Sequence, residues 1–190
     1  MEASSLGVII YEDTRQQTYG GNDKHAAKHI WWSSHGVSIK RKKLDSGDYG
    51  TEGSNCFVDT KRNIDELAQN LGREHGRFRR EIYRANAAGC LLVILIETDE
   101  ARSVDDVIGW VSEHCRRCNH YRRESCDPRD RSCMCMRHGT AKPLQGDTLA
   151  KQMRTMELTR AVRFEFVRPE ESARRICEIL GVSYEDEGRD

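Results

Sequence analysis

No apolar run in this 190-residue chain is long enough to cross a bilayer. The most apolar one, Cys90-Leu-Leu-Val-Ile-Leu-Ile96, falls far short of the roughly 20 residues that a spanning helix needs. No hydrophobic leader precedes the charged N-terminal region, so the expectation is a soluble, cytoplasmic protein with no membrane partner. Net charge is missing as well: 31 Lys+Arg balance 31 Asp+Glu, and global charge therefore selects no partner. No segment repeats. What remains is a polar chain, 33% charged with a mean hydropathy of −0.77, of a length that suits one domain with its own core.

Charge is distributed unevenly. Thr14 to Lys43 carries seven Lys/Arg against the single acid Asp23, and Arg116 to Lys142 carries eight against three. Acids gather between Glu97 and Glu113 and again from Glu185. Of the eight cysteines, five crowd together (Cys115, Cys118, Cys126, Cys133, Cys135), while Cys56, Cys90 and Cys177 stand alone beside apolar residues. In an intracellular chain such crowding points to metal rather than disulfides, and the isolated thiols read as small buried hydrophobes.

One stretch concentrates the chemistry. Gly47-Asp48-Tyr49 precedes a short turn, and then come Phe57-Val58-Asp59-Thr60-Lys61 and, four residues on, Asp65. Side chains alternate along a strand, so Asp59 and Lys61 share one face and Thr60 takes the other. Two carboxylates from neighbouring strands can hold a hard divalent cation through oxygen, and a lysine beside them can steady a phosphate or its attacking water. A surface hairpin with ordinary charges has the same spacing, so the triplet alone does not decide.

Around it the pattern alternates strands and helices. Leu6 to Tyr11 reads as a first strand with Asp13 and Arg15 just beyond its end, where α/β sheets place ligand-binding groups. Asn22 to Ser33 reads as a helix with Trp31 and Trp32, of which one packs in the core and the other lies near the surface. Val37 to Leu44, Tyr49 to Glu52 and Cys56 to Thr60 read as strands. Ile64 to Leu71 presents Ile64, Leu67, Ala68 and Leu71 on one helical face. Arg77 to Ala88 buries Phe78, Ile82 and Ala85 and leaves Arg77, Arg80 and Arg84 on a basic side. Cys90 to Ile96 reads as a central strand, and Val104 to about His114 as a helix. From Cys115 to about Lys142 periodicity vanishes. A helix from Asp147 to about Leu158, the strand Val162 to Val167, and a last helix from Glu170 to Leu180, opened by Pro169 and closed by Gly181, complete the chain.

These elements and motifs together resemble the nuclease domain of the XPF-type endonucleases, a branch of the PD-(D/E)XK nucleases. The family pattern of G-D followed by E-R-K-x-x-x-D appears here as Gly47-Asp48 and Asp59-Thr60-Lys61-Arg-Asn-Ile-Asp65. Asp13-Thr14-Arg15, Glu66-Leu-Ala-Gln-Asn-Leu71, Gly76-Arg77-Phe78 and Leu91 to Glu97 follow the family's order on either side. The resemblance covers most of residues 6 to 97 and resumes at about 146. It implies an α/β fold with a central mixed sheet flanked by helices, restriction-endonuclease-like, over residues 1–184. A Cys-rich insertion (114–142) interrupts it, and an acidic tail (185–190) follows. Asp59 stands where the family has glutamate and Thr60 where it has arginine. The expectation is a compact, phage-like member without the tandem helix-hairpin-helix domain of many XPF-type enzymes.

The implied activity is Mg2+- or Mn2+-dependent cleavage of DNA. Asp48 and Asp59 would be metal ligands together with the Thr60 carbonyl, Asp13 would complete the acidic site, and Lys61 would act on the water or the phosphate. Asp65 is open between a place near the metal and a helix cap. Arg15, Arg73 and Arg77 would hold the phosphodiester backbone, with an ordinary surface role as the close alternative for Arg73 and Arg77. A homodimer or a partner protein would supply recognition of DNA structure. Within the insertion, Cys115-x2-Cys118 with Cys133-x-Cys135 has the spacing of a structural Zn2+ site, with His114, His120, Cys126 and His138 as further donors. Two other readings compete: a non-catalytic nuclease fold that binds DNA or scaffolds a partner, and a zinc module for which the nuclease-like part is a platform.

Overall fold

A computed structural model describes residues 9–16, 25–72, 75–118 and 143–185. Among these residues six strands form one mixed sheet in the order β2-β1-β3-β4-β5-β6. They are β1 (Ile10–Asp13), β2 (Ile39–Lys42), β3 (Tyr49–Thr51), β4 (Cys56–Lys61), β5 (Leu91–Glu97) and β6 (Val162–Val167). β1 runs parallel to β2 and antiparallel to β3, β3 is antiparallel to β4, and β4, β5 and β6 are mutually parallel. The helices among the described residues are α1 (Ala26–Ser34), α2 (Ile64–Leu71), α3 (His75–Ala87), α4 (Glu113–Arg117), α5 (Gly146–Thr159) and α6 (Ser172–Leu180), with short 3-10 turns at Asp106–Gly109 and Pro169–Glu171.

Period-two alternation divides the core between the two faces of the sheet. Leu92, Ile94 and Ile96 of β5 meet α2, α3 and α5 through Leu67, Phe78, Ile82, Leu149 and Met153. Leu95, with Ile10, Tyr49 and Val58, meets α1 and α6 through Trp32 and Ile176. Apolar residues line both faces of β5, which is why its sequence is an unbroken apolar run rather than an alternating one. It lies one strand in from the edge, between β4 and β6.

Trp32 is the tryptophan in the core, fully buried, and its indole N–H donates to the Ala173 carbonyl at 3.1 Å. Trp31, half-buried, stacks on His35. α2 starts where its apolar periodicity starts. Asn63 is its cap, accepting from the Glu66 amide at 2.8 Å.

Two expectations need correction. The first strand includes Asp13 rather than ending before it, because pairing with β3 continues through Glu12 and pairing with β2 through Asp13. The helix expected over Val104 to His114 does not form. A 3-10 turn ends at Gly109, Trp110 is extended, and Ser112 caps α4 by accepting from the Cys115 amide. The cause is non-local. Gly146 sits against the carbonyls of Val107, Ile108 and Trp110, so closely that a Cβ there would lie 2.2 Å from the Val107 oxygen. Val107 and Trp110 are both buried by this docking of α5, at the i, i+3 spacing of a 3-10 turn.

Candidate functional site

The hairpin of β3 and β4 is built around Asp48. Gly47 precedes it in the left-handed region (φ 69°), where a Cβ would meet the Val58 carbonyl oxygen at 2.9 Å, so the turn requires glycine. The Asp48 amide then donates to the Val58 carbonyl at 2.7 Å, and its own carbonyl accepts from the Asp13 amide at 2.8 Å. This fixes the backbone of Asp48 between β1 and β4. One carboxylate oxygen, Oδ2, accepts from both the amide and the hydroxyl of Thr60, at 2.8 and 2.7 Å. The other oxygen has no hydrogen-bond donor among the described residues.

Asp59 and Lys61 share a face, as strand alternation requires, and both are buried. The Lys61 ammonium donates to Asp59 Oδ1 at 2.8 Å and lies 2.7 Å from Oδ2, an oxygen that has no aligned donor. Burial pushes the Asp59 carboxyl up to about 7; the charges of Asp48 and Glu81 add to this while Lys61 opposes it. For Lys61, burial acts downward, but Asp59 and Asp48 outweigh it and hold the ammonium above its ordinary value.

These side chains line a cavity of about 480 Å³. Asp13, Arg15 and Arg77, all named from the sequence, line it too. Asp13 has its acceptor positions taken. Oδ1 accepts from the amide and Nε of Arg15 at 2.6 and 2.8 Å, and Oδ2 accepts from Arg15 Nη2 and the Leu44 amide, each at 2.8 Å. A carboxylate offers about four lone-pair sites, and four donors fill them. Burial alone would raise this carboxyl, but these hydrogen bonds hold it below the usual value. Asp13 is thus placed to fix Arg15, whose side chain is half exposed at the cavity.

Asp65 does not line the cavity. It neither caps α2 nor faces Asp48, and instead accepts from the Glu113 amide at the start of α4 at 3.0 Å, with burial raising its carboxyl. Arg73, Cys126, Cys133, Cys135, His120 and His138 lie outside the described residues. Of the cysteines proposed for zinc, Cys115 is buried and Cys118 half-buried at the two ends of one turn. Among the described residues, no group of three or more His, Cys, Asp or Glu is placed to hold a metal ion.

Glu81 escaped the reading of the sequence. It projects from α3 into the cavity, accepts from the Gly47 amide at 3.0 Å, and is the second carboxylate, with Asp48, that acts on Asp59. Its signal was its position four residues after Arg77 and three before Arg84, on one helical face. Lys28 and Glu97 were also missed. They form a buried ion pair at 2.6 Å lining the cavity, and the Ser172 hydroxyl donates to Glu97 at 2.6 Å.

The donor set suits a hard cation in chemistry and number. Among the described residues, Asp59 Oδ2 has no aligned donor and both donors to Asp48 fall on its Oδ2, leaving Oδ1 open, and Mg2+ is commonly held by one or two carboxylates while retaining several waters. No protein-family model matches the chain, and no curated protein does.

Proposed function

We propose that the chain is a metal-dependent DNA endonuclease of restriction-endonuclease-like fold and XPF type, acting in the cytoplasm. The observation that carries this reading is the meeting of Asp48, Asp59 and Lys61 in one cavity, with a buried Asp59 oxygen lacking an aligned donor. Asp48 and Asp59 would hold Mg2+ or Mn2+, which supplies Lewis-acid stabilisation of the charge building on a phosphate oxygen. Thr60 fixes Asp48 through its amide and hydroxyl, so the departure from the family's arginine replaces a cation with a positioning hydroxyl. Lys61, poised against Asp59, would orient the attacking water or donate to the pentacoordinate phosphate. Asp13 holds Arg15 at the rim, where its guanidinium would contact the phosphodiester backbone. A homodimer or partner would supply preference for a DNA structure, and the Cys-rich segment a structural zinc.

The test is incubation of purified protein with Mg2+ or Mn2+ and single-stranded, duplex, flap and branched DNA. Cleavage of at least one substrate, lost in Asp59→Ala with the fold retained, supports the proposal. If every substrate stays intact with both ions, the enzyme reading fails.

A further inference from the structure

Arginines on this surface are almost all paired. Among the described residues, every arginine outside α3 other than Arg160 forms an ion pair with a carboxylate. Arg79, Arg80, Arg84 and Arg160 form none among those residues, and the first three are exposed. In a chain with as many acids as bases, four guanidinium groups in one region without an ion pair among the described residues stand out.

The geometry of α3 joins them to the cavity. Phe78, Ile82 and Ala85 are buried, and at 100° per residue the opposite side carries a ribbon in the angular order Arg84, Arg80, Tyr83, Arg79. Arg84 lines the cavity and reaches the Asp45 carbonyl at 3.4 Å. Tyr83, 46% exposed, lies between Arg80 and Arg79 in that order. The Arg160 guanidinium lies over its ring at 4.2 Å and donates to its hydroxyl at 2.9 Å, with Arg79 at 3.5 Å from the same oxygen. Arg160 comes from the turn before β6, which Asn86 of α3 anchors by accepting from the Ala161 amide.

We infer that this face of α3 is a track for a single nucleic-acid strand, leading from the cavity to an unpaired base that stacks on the Tyr83–Arg160 platform. Unpaired arginines supply phosphate contacts that carry no sequence information. A planar guanidinium laid on an exposed aromatic ring presents a flat surface to a base, the combination that single-strand binders use. The surface rests on the nuclease reading only for the direction in which the strand runs.

The test is fluorescence anisotropy with a 5′-fluorescein single-stranded oligonucleotide of about 20 nucleotides, in EDTA so that hydrolysis plays no part. Arg79→Gln/Arg160→Gln should weaken binding about tenfold and reduce the slope of log affinity against log salt by about 1.4, or about 0.7 per lost phosphate contact. Tyr83→Ala should weaken binding about tenfold, and Tyr83→Phe should restore most of it. Arg168→Gln, at an arginine already paired with Glu171, should change little. Wild-type affinity in both the double variant and Tyr83→Ala overturns the track, as does an equal loss in Arg168→Gln. Equal sensitivity of a blunt duplex to Tyr83→Ala overturns the unpaired base. If these variants weaken binding while no DNA is cleaved with Mg2+ or Mn2+, the track stands and the endonuclease reading falls.

Discussion

Replacing Lys61 by methionine isolates the electrostatics of the cavity. Methionine keeps an unbranched stem of similar length in a buried position, so packing against Phe78, whose ring lies 5.6 Å from the ammonium, is largely retained. What is lost is the cation beside Asp59. Removing one partner of a buried ion pair typically costs about 3–5 kcal/mol, because an uncompensated charge is left behind. That cost applies only while Asp59 is ionised. Its carboxyl already lies at about 7 with Lys61 opposing the shift, and loss of the lysine moves it higher. At pH 8.5 Lys61→Met should therefore lose about 3 kcal/mol or more. At pH 5 Asp59 takes up a proton, and the loss should shrink to about 1–2 kcal/mol, the value of a buried hydrogen bond. Urea denaturation of the metal-free protein at the two pH values measures this, and Asp59→Asn/Lys61→Met should remove the pH dependence. Equal losses at pH 5 and pH 8.5 would mean that no charge is stranded beside Asp59, contrary to this expectation.

The intact pair makes a related prediction. Folded Asp59 binds its proton more tightly than the unfolded chain does, where the value is 3.8, so its contribution to stability falls as pH rises from about 4 to about 7. Added Mg2+ should offset that fall, measured as a rise in melting temperature that is larger at pH 8 than at pH 5. Thr60→Val keeps a β-branched strand residue but removes the hydroxyl donor to Asp48; it should cost about 1–2 kcal/mol in denaturation and weaken Mn2+ binding in calorimetry. Gly47→Ala forces a Cβ against the Val58 carbonyl at a positive φ and should cost about 2 kcal/mol or more by the same denaturation assay. Asp65→Asn, away from the cavity, should leave Mn2+ binding unchanged in calorimetry.

The parts legible in the sequence are those governed by local periodicity. The limits of α2 followed from Ile64, Leu67, Ala68 and Leu71, and β6 from its apolar ends. Gly181 closes α6 in the left-handed conformation that glycine permits (φ 67°). Asp59 and Lys61 meet because a strand alternates. The rest depended on contacts distant in sequence. Val104 to His114 has a helical pattern, but its carbonyls are met by Gly146 from a later helix. By motif Asp13 belongs with the site's acids, yet Arg15 and Leu44 fill its oxygens, which a motif cannot reveal. Glu81 looked like any helical acid, and only the packing of α3 beside the hairpin turns it toward Gly47.

Nicking of supercoiled plasmid DNA across a Mn2+ titration, with wild type and Asp59→Ala side by side, tests the central claim most directly. Wild type should nick in a metal-dependent way that EDTA abolishes and Asp59→Ala lacks, with both proteins melting cooperatively. Nicking that persists undiminished in Asp59→Ala, or no nicking by a folded wild type at any Mn2+ concentration, would contradict it.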